Sequence, residues 1–154
     1  MKDVIEKMIS LNKTISTMES CTGGGVVNAL TNIEGSSSVI KFSAVTYSNE
    51  FKIKMGVEKE IIDKFSVYSM ETAISMSKAI VNYTNSNIGI GITGKLNRID
   101  ENNPYGEDNK VYISIYDKDN NIYYNDELQV ENISRENNKE LIINRIKELL
   151  LNNY

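Results

Sequence analysis

Apolar residues recur along the chain with two different spacings, and these spacings predict alternating helices and strands. Near-helical spacing from Asp3 to Leu11, with Asp3 as the cap, predicts a first amphipathic helix. The stretch from Thr14 to Glu19 alternates and is rich in β-forming residues, so it predicts a strand. A glycine-rich turn and the apolar run VVNAL follow, which predicts that the chain passes from this strand into a second helix.

The middle of the chain continues the alternation. A strand is predicted from Val39 to Tyr47, followed by a helix with Asn49 as its N-cap and Gly56 as its C-terminal glycine. Further helices are predicted from Glu58 to Phe65 and after Ser69, which serves as a cap. The central third of the chain is therefore expected to hold one strand and three helices.

The C-terminal half adds the rest of a sheet. Residues Asn87 to Gly94 form a short apolar run with glycines, which is typical of a strand buried on both faces. The segments KVYISIYD and IYYNDELQV, joined by KDNN, predict an antiparallel hairpin, and Ser134 is expected to cap a C-terminal helix. This order of elements predicts an α/β fold, a three-layer α/β/α sandwich with a mixed sheet, as a single domain over residues 1–154.

Composition restricts the chemistry that the chain can perform. It has no histidine, no tryptophan and one cysteine, Cys21, so Ser-His-Asp triads, Cys-His pairs and histidine-ligated zinc are excluded. Cys21 sits at a predicted helix N-terminus, where a thiolate is favoured, but without a histidine to move its proton we interpret it as a packing residue. One loop is crowded with carboxylates, but acidic surface loops are commoner than metal sites, so we predict no metal and no cofactor. These carboxylates belong to Asp100, Glu101, Glu107 and Asp108.

Charge and hydropathy restrict the partners. The net charge is −4 and the isoelectric point is about 5.0, with lysines interspersed among acidic residues, so the basic face of a nucleic-acid-binding protein is missing. No apolar stretch reaches the ~20 residues of a membrane span, and the N-terminus lacks the apolar core of a signal peptide. The sequence therefore predicts a cytoplasmic protein that binds a small molecule and has no membrane or nucleic-acid partner.

The stretch from Gly35 to Lys52, GSSSVIKFSAVTYSNEFK, carries the candidate chemistry. It joins a serine cluster, a predicted strand ending in Tyr47 and a predicted helix with Lys52 in its first turn. The positive end of the helix dipole, together with burial, is expected to lower the pKa of Lys52. A neutral lysine beside a serine hydroxyl and a tyrosine is sufficient, in principle, for hydrolysis without histidine or metal.

Two other segments favour a ligand site. The turn SCTGGG directs backbone amides past the end of the first predicted strand, which suits an anionic or carbonyl oxygen, although such glycines more often serve turn geometry. The buried strand delivers Thr93 at the edge where open α/β sheets place functional residues. The polar loop that follows, KLNRIDENNPYGEDN (Lys95 to Asn109), has about fifteen residues, and such long loops are usually functional or disordered.

Four motifs, in order, resemble the CinA C-terminal domain family, and the resemblance extends from Thr14 to the C-terminal helix. Members of known activity are nicotinamide-nucleotide amidases, which hydrolyse the carboxamide of nicotinamide mononucleotide to nicotinate mononucleotide and ammonia. The resemblance implies the same activity here, as part of NAD salvage. The motifs are ESCTGG (Glu19 to Gly24), GSS (Gly35 to Ser37), VTYSNEFK (Val45 to Lys52) and ITG (Ile92 to Gly94).

The resemblance also implies roles for individual residues. The family's nucleophile falls on Ser37, and Lys52 would take its proton directly or through Tyr47. Backbone amides near Ser36 to Ser38, or those of the SCTGG turn, would hold the oxyanion. Arg135 and the amides at the start of the Thr22 helix are candidates for the substrate phosphate. The expected substrate-binding residues are Ser20, Thr22, Gly23, Ser36, Thr93 and Arg135.

The chain departs from the family in two segments. It reads ITGKLNRIDENNPYG where the family usually reads ITGIAGP, and ISRE where the family has a GDR-like motif. Two alternatives to the amidase therefore stay open: a catalytically silent module that binds a nucleotide, and an amidase acting on another carboxamide. The edge exposed by a terminal hairpin, together with the family's habit of association, predicts a homodimer or larger homo-oligomer.

Overall fold

A computed structural model describes all 154 residues, from Met1 to Tyr154. Helices and strands alternate along the chain in the order that the hydrophobic pattern predicts. The strands are β1 (Ile15–Glu19), β2 (Ile40–Val45), β3 (Ile88–Gly94), β4 (Lys110–Asp117) and β5 (Ile122–Gln129). The helices are α1 (Lys2–Ser10), α2 (Gly25–Thr31), α3 (Asn49–Lys54), α4 (Lys59–Phe65), α5 (Met70–Thr84) and α6 (Arg135–Asn153), and a short 3₁₀ turn covers Ser36–Ser38.

The five strands form one mixed sheet in the order β2-β1-β3-β4-β5. Strand β1 pairs in parallel with β2 and β3, whereas β3 with β4 and β4 with β5 pair antiparallel, as the predicted hairpin requires. Because β1, β2 and β3 run in one direction, their ends meet at one edge of the sheet, which we call the carboxyl edge. Their beginnings meet at the opposite side, the amino edge.

Helices cover both faces of this sheet. On one face, α1, α2 and α6 pack around a large apolar cluster that includes Ile88, Ile90 and Ile92 of β3. On the other face, α4 and α5 enclose a smaller cluster that includes Met18 and Met76. The predicted fold class, a three-layer α/β/α sandwich with a mixed sheet, is confirmed.

Two glycines of β3 allow α5 to contact the backbone of the sheet. A side-chain carbon at Gly89 would lie 2.2 Å from the carbonyl oxygen of Ser77, and one at Gly91 would lie 2.3 Å from that of Ala73. Neither gap can hold a methyl group, since carbon and oxygen atoms need more than 3 Å between their centres. The strand is therefore buried on both faces, as predicted, with side chains filling one face and helix backbone filling the other.

The helix termini agree with the sequence in part. Ser69 and Ser134 cap α5 and α6 through their side-chain oxygens, as predicted. Helix α1 begins at Lys2, so Asp3 lies within its first turn instead of capping it. None of the six helices is both long enough and apolar enough to cross a lipid bilayer.

The start of α3 differs from the prediction. Its N-cap is Ser48, whose hydroxyl accepts a hydrogen bond from the amide of Phe51, and Asn49 is the first helical residue. Strand β2 is also shorter than predicted at both ends. Serine and asparagine are equally common N-cap residues, so capping preference alone does not show which of the neighbours Ser48 and Asn49 caps the helix.

A network of charges holds the amino edge together. Lys13, just before β1, forms ion pairs with Asp117 at 3.1 Å and with Asp119 at 3.3 Å. Asp117 is fully buried and also accepts hydrogen bonds from the amide of Asp119 and from the amide and side chain of Asn120. The Lys13 ammonium lies 5.1 Å from the centre of the Tyr154 ring. These contacts tie the start of β1 to the β4–β5 turn and to the C-terminus.

Candidate active site

A cavity of about 610 Å³ lies at the carboxyl edge of the sheet. Its base is formed by residues directly after β1 and by α3, and its rim by the β3–β4 loop and the first residue of α6. Four of the predicted site residues line it: Ser20, Tyr47, Lys52 and Arg135. The volume falls within the range of ~300–1,000 Å³ that is typical of small-molecule sites.

Lys52 extends into this cavity from α3 and is 1% exposed. Its Nζ donates hydrogen bonds to Ser20 Oγ at 3.1 Å and to the carbonyl oxygen of Thr46 at 2.7 Å. No carboxylate lies within 4.0 Å of this Nζ. Burial lowers the pKa of Lys52 to about 8, so the amine is neutral in about a tenth of the molecules at pH 7. The lowered pKa predicted for Lys52 is confirmed, with burial as its main cause.

Ser20 is the hydroxyl that contacts this amine. It directly follows β1, which lies between two parallel neighbours, so its backbone is held firmly at the end of the strand. When Lys52 is neutral, the 3.1 Å contact allows the Nζ lone pair to accept the Ser20 proton. The sequence assigned Ser20 to substrate binding, whereas its geometry is that of a nucleophile beside a base.

Ser36 and Ser37 lie at the amino edge and do not line the cavity. Their 3₁₀ turn comes before β2, whereas Tyr47 and Lys52 follow β2. A strand of 6 residues therefore separates the two groups, a distance of ~20 Å. The hypothesis that Lys52 takes a proton from Ser37 of the same chain is wrong. For the same reason, Ser36 and the amides of this turn cannot contact a substrate in the cavity of their own chain.

The glycine-rich turn uses its amides for the fold. The buried carboxylate of Glu19 accepts hydrogen bonds from the Thr22 hydroxyl and from the amides of Gly24, Val26 and Val27. These amides belong to the start of α2, where an anion is favoured by the helix dipole. The protein's own carboxylate therefore occupies these amides, and the phosphate contact predicted for the start of the Thr22 helix is wrong, whereas Arg135, the other predicted phosphate ligand, does line the cavity.

Two amides beside Ser20 stay available. Those of Cys21 and Thr22 donate a hydrogen bond to no other residue of the chain. Because they directly follow Ser20 in the chain, they are candidate donors to an oxyanion on a substrate attached to its Oγ. This part of the SCTGG turn is compatible with the predicted oxyanion site.

Three of the predicted substrate-binding residues do not line the cavity: Thr22, Gly23 and Thr93. The Thr22 hydroxyl is committed to Glu19, and the Thr93 hydroxyl donates to the carbonyl oxygen of Val67 at 2.8 Å. Gly23 has a left-handed backbone (φ 62°), which explains the glycine without a ligand. The structure therefore gives no support to the substrate contacts predicted for these three residues.

Cys21 lines the cavity but is poorly suited to act as a nucleophile. Burial raises the pKa of its thiol to about 12, and the nearby positive charge of Lys52 offsets only part of this effect. The thiol therefore stays protonated at neutral pH, and thiols react as thiolates. Cys21 also belongs to the large apolar cluster, which agrees with its interpretation as a packing residue.

Tyr47 and Arg135 stand at the rim. The Tyr47 side chain is largely exposed, and its hydroxyl accepts a hydrogen bond from Nη2 of Arg135 at 3.3 Å. Tyr47 forms no hydrogen bond with Ser20 or Lys52, so a proton relay through it has no support in the geometry. Both rim residues are placed to contact a ligand that enters the cavity.

The β3–β4 loop supplies a wall that the motifs did not identify. The Tyr68 hydroxyl donates to Asp100, and the side-chain amide of Asn49 donates to Asn103 at 3.0 Å. These two contacts attach the loop to the start of α5 and to the helix that carries Lys52. Arg98 of the same loop also lines the cavity. The only signal in the sequence for this wall was the length of the polar segment.

Comparison with known proteins gives the family. The model of the CinA C-terminal domain matches residues 1–153. The chain belongs to the CinA C-terminal domain family. Among other members, the CinA-like protein of Kosmotoga olearia is 44% identical over 92 residues, which make up 59% of this chain and 22% of that protein. The matched segment is therefore less than a quarter of the length of such CinA relatives.

Solved CinA structures share the fold. The competence/damage inducible protein CihA from Agrobacterium tumefaciens superposes with a TM-score of 0.85 and 27% identity, covering 97% of this chain and 93% of that chain. A CinA superfamily protein from Escherichia coli superposes with a TM-score of 0.85 and 20% identity, covering 97% and 88%. At the second identity the likeness concerns the fold alone. The arrangement of five strands and six helices is thus that of the CinA superfamily.

Proposed function

We propose that the chain is an amidohydrolase that cleaves the carboxamide of nicotinamide mononucleotide, with Ser20 as the nucleophile and Lys52 as the base. One observation carries this proposal: a buried lysine with no carboxylate partner contacts a serine hydroxyl at the base of a ligand-sized cavity. Membership of the CinA family supports the substrate class, because the amidases that the sequence resembles belong to it.

The reaction begins with proton transfer. Neutral Lys52 accepts the Ser20 proton as Oγ attacks the carboxamide carbon, and the amides of Cys21 and Thr22 donate to the oxyanion. The Lys52 ammonium then returns the proton to the departing nitrogen, and ammonia leaves. The product of this half-reaction is an ester between Ser20 Oγ and the nicotinate carbonyl.

The second half repeats the chemistry with water. Lys52, neutral again, accepts a proton from a water molecule whose oxygen attacks the ester carbon. The same proton returns to Ser20 Oγ as the bond to the acyl group breaks. Nicotinate mononucleotide leaves, and both side chains recover their starting states. No histidine or metal enters any step.

The test compares two serines that sit at opposite edges of the sheet. Ser20→Ala and Ser37→Ala are each incubated with nicotinamide mononucleotide, and ammonia release is measured. Ser20→Ala should lower the rate by at least ~10³-fold, since it removes the nucleophile, while Ser37→Ala should retain the parental rate. Thermal unfolding of both proteins checks that each is folded.

Two results would contradict the proposal. Parental turnover by Ser20→Ala removes Ser20 as the nucleophile. Loss of turnover by Ser37→Ala alone means that a second copy of the chain delivers Ser37 to the site. Strand β2 lies at an edge of the sheet, so the β2 strand of a second chain can pair with it. In an antiparallel pair the start of the second β2, with its Ser37, would lie beside the end of the first, near the carboxyl edge.

A second candidate function is a nucleotide-binding module without turnover. One observation favours it: Ser37, the nucleophile that the resemblance implies, lies outside the cavity. Binding of nicotinamide mononucleotide without ammonia release would support the module. Turnover of a different compound in a panel of carboxamides would instead support an amidase with another substrate.

A further inference from the structure

The chain has three arginines, and their surroundings differ. Arg145, on α6, is held by Asp126 at 2.7 Å and by Glu148 at 2.9 Å. Arg98 and Arg135 both line the cavity, and neither has a carboxylate within 4.0 Å. Two uncompensated guanidinium groups at one cavity favour an anionic ligand, because each keeps most of its five N–H donors free.

The two arginines approach the cavity from separate elements. Arg135 is the first residue of α6, and its Nη2 donates to the Tyr47 hydroxyl at 3.3 Å. Arg98 lies in the β3–β4 loop, and its Nη1 donates to the carbonyl oxygen of its neighbour Asn97 at 2.9 Å. The rest of each guanidinium faces no acceptor of the protein. Because both line the same cavity, a ligand there has free guanidinium donors available from two separate elements.

The loop that carries Arg98 is held at its base and near its middle. At its start, Lys95 is buried and donates to Asp108 at 2.8 Å, which closes the base of the loop. Near its middle, Asp100 accepts hydrogen bonds from Tyr68 and from the side chain of Asn103. These contacts place Arg98 between two fixed points.

The same contacts account for most of the other charges at the cavity. Lys95 is neutralised by Asp108, and Asp100 is engaged by neutral donors. Hydrogen bonding by Tyr68 lowers the pKa of Asp100, so it stays an anion that is already solvated by the protein. Glu101 is the one other carboxylate that lines the cavity, and it is exposed to water.

We propose that Arg98 and Arg135 together bind a dianionic phosphate monoester on the substrate, and that Arg98 determines specificity for a phosphorylated carboxamide over its dephosphorylated form. A phosphate monoester offers three terminal oxygens, and guanidinium groups bind such oxygens through paired N–H donors. The site lies at the rim, so the phosphate stays near solvent while the carboxamide reaches Ser20. The chemical step rests on the proposed function, whereas the binding step does not.

The test measures binding with the chemistry removed. In a Ser20→Ala background, isothermal titration compares nicotinamide mononucleotide with nicotinamide riboside, which lacks only the phosphate. Arg98→Ala should weaken binding of the mononucleotide by at least about tenfold and binding of the riboside by less than about twofold. Arg98→Lys should recover only part of the loss, because a lysine lacks the paired donors.

A matched control removes a positive charge elsewhere. Lys78 is exposed on α5 and does not line the cavity, so Lys78→Ala in the same background should leave both affinities unchanged. Raising the salt concentration should weaken binding of the mononucleotide more than binding of the riboside, and Arg98→Ala should reduce this difference. Melting temperatures of all variants identify any that fail to fold.

Two outcomes would overturn the inference. One is an equal loss of affinity for both ligands in Arg98→Ala; the other is no binding of the mononucleotide by the Ser20→Ala protein. Binding of the mononucleotide with the expected Arg98 dependence, but without turnover by the parent protein, would retain the inference and remove the amidase proposal. The two proposals can therefore fail separately.

Discussion

The two edges of the sheet each hold a lysine, and their surroundings have opposite effects on the two amines. At the amino edge, burial acts to lower the pKa of Lys13, but hydrogen bonds and attraction from Asp117 and Asp119 outweigh it and raise the pKa overall. At the carboxyl edge, Lys52 is more deeply buried and meets only a hydroxyl and a carbonyl oxygen. Its pKa falls to about 8.

The presence or absence of a carboxylate explains this difference. Removing water from an ammonium favours the neutral amine, and an adjacent carboxylate restores the cation. Lys13 therefore acts as a fixed cation that joins two segments of the chain. Lys52 has a neutral form available near physiological pH, as a general base requires.

The largest expected effect comes from removing the amine at the carboxyl edge. Lys52→Met should lower ammonia release from nicotinamide mononucleotide by about 10³-fold, because the base is lost while the side-chain volume is nearly kept. Lys54→Met is the matched control on the same helix, since Lys54 is exposed and pairs only with Glu50. Equal rates for the two variants would contradict the role of Lys52.

The second effect is the dependence of the rate on pH. Only the neutral amine can accept a proton, so the rate should rise nearly tenfold per unit at low pH and level off above the pKa of about 8. Steady-state rates between pH 6 and 9.5 measure this profile. A rate that is flat from pH 6 to 8 would mean that no group with the lowered pKa of Lys52 controls the reaction.

The third effect is on stability at the amino edge. Lys13→Met leaves the fully buried Asp117 without its cation, which should cost roughly 3 kcal/mol in the free energy of unfolding while the rate of turnover stays unchanged. Lys59→Met, which breaks an exposed pair with Asp63, should have no measurable effect. Urea unfolding at pH 7 gives both values.

The same ion pair should respond to acid. Although burial acts to raise it, the pKa of Asp117 is lowered overall by hydrogen bonds from Asn120 and Lys13. Its contribution to stability is therefore present above the ordinary aspartate pKa and is lost as pH falls towards the lowered value. An equal stability difference between parent and Lys13→Met at pH 7 and pH 2 would contradict this account.

The smallest effect concerns the loop wall. Tyr68→Phe removes the hydroxyl that holds Asp100, so the loop should become more mobile and KM should rise about fivefold, with kcat nearly unchanged. Tyr83→Phe is the control, because Tyr83 is exposed on α5 and does not line the cavity. A fall in kcat without a change in KM would show that the loop affects the chemical step.

Much of the fold can be predicted from the sequence, because apolar residues recur with a different spacing in the helices than in the strands. The alternation in Thr14 to Glu19, the glycine-rich apolar run from Asn87 to Gly94 and the terminal hairpin are all found as predicted. Helix ends were less accessible where two capping residues are adjacent, as with Ser48 and Asn49. Local patterns define elements well and their boundaries less well.

The site was only partly accessible for a geometric reason. Lys52 and Arg135 were identified by type and position, and both line the cavity. Ser37 precedes β2 and Lys52 follows it, so the strand carries the two residues to opposite edges of the sheet although they are close in sequence. The contact of Ser20 with Lys52 and the place of Arg98 at the cavity depend on which loops meet at the carboxyl edge, and a single sequence does not show which loops are neighbours.

The contact of α5 with Gly89 and Gly91 has a consequence for how this domain could adapt. At these two positions the α5 backbone lies directly against the strand, so one added methyl group on either glycine would force the helix away from the sheet. The β3–β4 loop lies at the cavity and has no such constraint beneath it. Substitutions in that loop can therefore change the choice of ligand while the contact between α5 and β3 is preserved.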